Sequence, residues 1–202
     1  MILPRRTILL SVMALPGCTA LDLLSPSAPP RDIYELQPVS LTASGRRSSR
    51  SLLVLMPAAP AAIATDRILI KQSPLAVTYL PDAMWSDAVP AMLQSVLIRS
   101  IASVGQIGFV GAQGDGPVPD TVLLTRIDGF GVDQQTGGGW VVQVSFELTV
   151  LRDRDQRVLG TRQFAQTSPI QNDQADTIAR AFQQILDTLL PDIVLWVLAQ
   201  SG

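Results

Sequence analysis

Between Trp140 and Arg152 apolar and polar residues alternate. Val142, Val144, Phe146, Leu148 and Val150 fall on one side, and Gln143, Ser145, Glu147 and Thr149 on the other. A repeat of two marks an antiparallel strand buried on one face. Thr121 to Val132 and Arg157 to Gln166 read as strands on either side of it. Gly137-Gly138-Gly139 and Asp153-Arg154-Asp155-Gln156 stand where the hairpin turns are needed. Upstream, Ile33 to Gln37, Leu52 to Met56, Arg67 to Gln72 and Ala76 to Leu80 have strand character, the last two around Ser73-Pro74.

The period changes at residue 89. Val89, Met92, Leu93, Val96, Leu97, Ile101 and Val104 share one helical face. Asp87 is placed to cap this helix, Pro90 is tolerated in its first turn, and Gly105 ends it. Residues 106 to 120 are rich in glycine and proline, and no element is assigned there. A second helix is expected from about Asp173 to Gln200, with Ile178, Phe182, Ile185, Leu189, Ile193 and Trp196 on one stripe and a kink or break at Pro191. Strands, helix, strands, helix predict an α+β domain over residues 32–202, with a mainly antiparallel sheet covered by two helices in two layers.

The N-terminus follows another logic. Arg5 and Arg6 precede the apolar run Thr7 to Pro16, and Leu15-Pro16-Gly17-Cys18 closes it. This order of charge, apolar run and small residue is that of a signal peptide, expected over residues 1–17. A membrane span needs about 20 apolar residues, more than this run supplies, and no later stretch reads as long enough. The Leu-x-Gly-Cys ending resembles a bacterial lipobox, which implies that Cys18 is lipidated and becomes the mature N-terminus. An ordinary cut after Ala20, or a buried structural cysteine, are the alternatives. Cys18 is the only cysteine, and a lone thiol in an exported protein otherwise needs a separate reason. Residues 18–31, with Pro26, Pro29 and Pro30, read as an extended lipidated tether. Thr42 to Ser51, with Arg46, Arg47 and Arg50, reads as a solvated loop or a contact with lipid headgroups.

Charge and composition then narrow the chemistry. The net charge is −2, and removing Arg5 and Arg6 deepens it. Nucleic acid, which needs a basic patch, is not an expected partner. The chain has no histidine, the commonest general base and metal ligand. Lys71, the single lysine, reads as an outward charge on a strand, and Asp66, Asp82 and Asp87 as turn and cap residues. Asp153 and Asp155 lack the further oxygens of a calcium loop. The glycines at 108, 111, 114 and 116 precede a strand, where a phosphate-binding loop would open a helix. No catalytic set, metal or cofactor is expected.

Residues 67 to 98 run from Arg-Ile-Leu-Ile-Lys-Gln-Ser-Pro through Tyr79 to Trp85, Pro90 and Leu93-Gln94. Tyr34-x-Leu36 lies upstream and Ile193-Val194-Leu195-Trp196 near the end. With the lipobox in front, this resembles the ABC-type transport auxiliary lipoproteins that accompany MCE-type lipid transporters. The resemblance covers roughly residues 31 to 200. It implies a non-enzymatic envelope component without a cofactor, joining a periplasmic MCE conduit to the outer membrane through its lipid anchor. Thr19 after the cysteine implies, by the sorting rule for lipoproteins, release to the outer membrane on its periplasmic side. A regulator of a cell-wall enzyme, or an outer-membrane assembly factor, is the alternative, because fold does not decide function.

Two places are candidate partner contacts. Tyr79 and Trp85 either anchor the corner between sheet and helix or meet a partner. On the last helix, Arg180, Gln183, Gln184 and Asp187 suit water, whereas Val194, Leu195 and Leu198 make the second half apolar all round. Such a helix needs cover on two sides. The second cover is either residues 57 to 64 or a partner: the MCE conduit or a second copy of this chain.

Overall fold

A computed structural model describes residues 31–42, 47–135 and 137–201. The signal peptide, Cys18 and the tether up to residue 30 lie outside the described residues, as does Arg46. Eight strands and two α-helices follow in the order β1 (Asp32–Tyr34), β2 (Ser51–Val54), β3 (Arg67–Ser73), β4 (Ala76–Trp85), α1 (Val89–Ser103), β5 (Phe109–Ala112), β6 (Thr121–Gln134), β7 (Trp140–Arg152), β8 (Arg157–Ile170) and α2 (Ala175–Ser201).

The sheet is α+β in its setting but mixed in its pairing. Antiparallel ladders join β3 to β4, β6 to β7 and β7 to β8. Parallel ladders join β1 to β4, β2 to β5, β2 to β6 and β3 to β6. This corrects the mainly antiparallel sheet expected from sequence. Hairpins announce themselves through tight turns, whereas parallel pairs unite strands far apart in the chain and leave no local mark. β5 was missed for the same reason: it is four residues long and gains its partner, β2, only through the crossover containing α1.

β6 organises the sheet. One edge carries β7 along its whole length. The other is shared: β2 pairs with its start, Ala58 bridges Arg126, and β3 pairs near its end at Ile70↔Val132. A bulge interrupts β6 between Ile127 and Gly129. Leu123 and Ile127 are buried before it and Phe130 and Val132 after it, so the buried positions change from odd to even. One extra residue, Asp128, restores the face. In β7, unbulged against β6, the alternation is clean: Val142, Val144, Phe146, Leu148 and Val150 are all buried.

Both helices pack on the sheet and on each other. α1 buries Val89, Met92, Leu93, Val96, Leu97 and Ile101, as its period required. Its N-cap position is Ala88, with no side-chain cap, which corrects the role given to Asp87; that carboxylate accepts from the Ala88 N–H at 2.7 Å. Pro90 sits in the first turn, and Gly105 follows the helix at φ +69°. α2 is a continuous helix of 27 residues through Pro191. It is long and apolar enough to cross a membrane, contrary to the sequence reading, yet half of its most apolar window is buried inside the protein. That burial marks a core helix.

Candidate functional site

The β3–β4 hairpin joins the sheet to α1, and both of its aromatic candidates are held within it. Trp85, 1% exposed, meets Phe182 of α2 edge-on at 5.2 Å and Phe130 of β6 at 5.9 Å. Phe130 in turn stacks on Phe182 at 4.5 Å. Such edge and offset contacts add to the area that the rings bury. The Trp85 N–H donates to the Asp66 carbonyl and the Val89 N–H to the Thr65 carbonyl, which locks the corner. Tyr79 is half-buried; its hydroxyl donates to the Ala62 carbonyl at 3.2 Å, and the Arg67 guanidinium lies 4.2 Å over its ring. Residues 60 to 64 therefore pack beneath this hairpin.

On α2 the three apolar candidates separate. Val194 is fully buried and Leu198 half-buried, while Leu195 is 55% exposed. Leu186, Leu190 and Val197 are buried with Val194. The second cover for the helix is α1, with the segment after β1 crossing both helices: Gln37 exchanges backbone bonds with the Gln183 side chain, and the Val39 N–H donates to Ser100. Of the three, only Leu195 and the edge of Leu198 reach the surface, because Val194 is buried in the core.

Two features escaped the sequence reading. On the sheet face away from the helices, Arg126 pairs with Asp128 at 2.7 Å and with Glu147 across the ladder. Hydrogen bonds to Asp128 and then Glu147 push the guanidinium above its ordinary range, and that from Arg126 pulls the Asp128 carboxyl below its own. With Arg126 55% exposed, the network is solvent-screened and contributes little stability. The signal was present in the pairing of β6 with β7, but only the bulge brings Arg126 opposite Glu147 on this face.

The second is an open cleft of about 550 Å³ at the end of the sheet where β6 starts and β7 ends. Arg50, Asp120, Thr121, Arg152, Arg154 and Leu159 line it. Its charges are mostly engaged. Asp120 accepts from the backbone and hydroxyl of Ser51, Arg50 donates to the Ser201 carbonyl, and Arg152 pairs with Asp155 at 3.0 Å. Among the described residues no three acidic or cysteine side chains are grouped to hold a metal.

A family model described as the ABC-type transport auxiliary lipoprotein component matches residues 34–194. No curated protein matches the chain. Among solved structures, a Xanthomonas campestris protein is 25% identical with a TM-score of 0.73, covering 83% of this chain and 95% of that one. An uncharacterized protein is 18% identical with a TM-score of 0.65, covering 83% and 99%. A hypothetical protein from Chlamydia trachomatis shares the fold at 10% identity and a TM-score of 0.50, covering 74% and 96%.

Proposed function

The chain belongs to the family of ABC-type transport auxiliary lipoprotein components, and on that premise we propose that it is the non-enzymatic lipoprotein of an MCE-type lipid-transport system. A lipoprotein of a transport system works in the cell envelope. Its role here is to link the periplasmic MCE conduit to the outer membrane, held there by acyl chains on Cys18. A single acyl chain binds a membrane marginally, and a second makes the attachment stable.

The observation that carries this reading is the family match, which runs from β1 almost to the end of α2. It is supported by the chemistry of the chain, which has no histidine and no cysteine after residue 18. Such a protein acts by holding partners together. The test is co-purification from envelope membranes with a C-terminal tag. The MCE-domain protein, the permease and the ATPase are expected in the eluate. Recovery of a cell-wall enzyme in their place would overturn the reading. The anchor is tested separately by Cys18→Ser: loss of membrane retention is expected, and unchanged cleavage and retention would refute lipidation at that residue.

A further inference from the structure

The two ends of the long strands differ in charge. One end holds Asp120, Arg152, Asp153 and Arg154 at the cleft, with Asp155 and Arg157 in the adjoining turn and strand start. The other gathers the turn between β3 and β4, the turn between β6 and β7, and the end of β8. The ladders set these segments side by side: Lys71↔Asp133, Gln134↔Trp140 and Trp140↔Ile170. Across residues 71–78, 133–141 and 166–172 the only charged residues are Lys71 and Asp133, with Asp173 following in the turn into α2. Hairpin turns in water favour Gly, Pro, Asn, Asp and Ser. The β3–β4 turn, Ser73-Pro74-Leu75-Ala76, begins with two such residues but follows them with Leu75, 99% exposed, and Val77 beyond it is 53% exposed. Trp140 and Ile170 are half-buried at the same end of the sheet, on β7 and β8.

The course of the chain relates this end to the N-terminus. β1 runs parallel to β4, with Asp32 beside Ala83 and Tyr34 beside Trp85. The chain therefore enters β1 at the end nearer the hairpin turn. From Ala83 to Leu75 is at most about 26 Å along an extended strand. The twelve residues between Cys18 and Arg31 reach up to about 40 Å. An anchor at Cys18 thus allows the turn to touch the same bilayer.

We propose that this charge-poor end, led by Leu75 and Val77, rests in the interfacial layer of the lipid bilayer that holds the N-terminus. The inference rests on the tether reading above. Leu75 and Val77 enter the acyl boundary, Trp140 lies at headgroup depth as aromatic residues do at membrane surfaces, and Lys71 meets lipid phosphate. The anchor fixes one point and the turn a second, so the sheet stands at a set angle to the membrane with its charged end in the periplasm.

The test uses the full acylated protein extracted from membranes. Acylation consumes the Cys18 thiol, so Leu75→Cys supplies a single reactive thiol, and Val158→Cys, 55% exposed at the opposite end, supplies the control. Each variant is labelled with a polarity-sensitive fluorophore and reconstituted in vesicles of phosphatidylethanolamine and phosphatidylglycerol, with and without lipids spin-labelled near the headgroup. The Leu75 probe is expected to shift to the blue and be quenched by the spin label, and the Val158 probe to do neither. Equal behaviour of the two probes on vesicle-bound protein overturns the tip contact alone. A Leu75 response that appears only when the MCE-domain protein is added also overturns it and makes the turn a protein surface. Protein that leaves the vesicles overturns the tether reading, and the inference with it.

Discussion

Trp85 and Leu75 lie ten residues apart in the chain, at the root and the tip of one hairpin, and are 1% and 99% exposed. Both are large and apolar, and hydropathy alone does not separate them. What separates them is the company at each level. At the root, Phe130, Phe182 and the first turn of α1 converge on the indole. At the tip the hairpin projects past the last paired residues, Ser73 and Ala76. One element therefore carries stability at one end and an uncovered apolar side chain at the other. A residue type in a motif does not say which of the two it serves.

The sharpest way to break this contrast is at the root. Trp85→Ala should cost about 3–5 kcal/mol, the range for emptying a buried aromatic site, read as a fall in the denaturation midpoint. An unchanged midpoint would show that the ring is not packed as described. The same contrast recurs between neighbours on α2. Val194→Ser buries an unpartnered hydroxyl and should cost about 1–3 kcal/mol, whereas Leu195→Ser, a surface change, should stay within about 0.5 kcal/mol. Equal losses in the two melts would put both on one face. Midway along the hairpin, Tyr79→Phe removes the bond to the Ala62 carbonyl and should cost about 0.5–1.5 kcal/mol. A melt that does not move would mean that water replaces the carbonyl without loss. The smallest effect is expected at the tip: Leu75→Asp should leave stability within about 0.5 kcal/mol of the parent. A clear loss there would show that the turn packs against the protein.

Much of this was legible beforehand. The alternation of β7, the faces of α1 and α2 and the two hairpin turns rest on local periodicity, and the structure keeps them. β5, the four parallel ladders and the burial of Val194 were not legible, since each depends on which distant segment arrives as a neighbour. Val194 and Leu195 illustrate the limit. A helix apolar all round announces that it needs a second cover, but not that α1 supplies it. The turn at Leu75 is hidden for a simpler reason. Ser73-Pro74 marks punctuation between strands and carries no information on what the next residue faces.

The shared edge of β6 sets the order in which the protein can become itself. β2 and β3 can pair early with β5 and β4, but the ladders that join them into one sheet wait for β6, some seventy and some sixty positions downstream. Closing such long loops costs entropy before any contact repays it, and topologies of this kind fold slowly. A chain emerging from residue 1 onward can form α1, the β3–β4 hairpin and the short β1–β4 and β2–β5 ladders, but these stay separate until β6 is complete at Gln134. For the exported lipoprotein proposed above the delay is an advantage, because a chain that cannot close its sheet early stays threadable through a translocation pore. Pulsed hydrogen exchange during refolding should accordingly find the amides that bond across the edges of β6 protected together and late, after those of the β3–β4 hairpin.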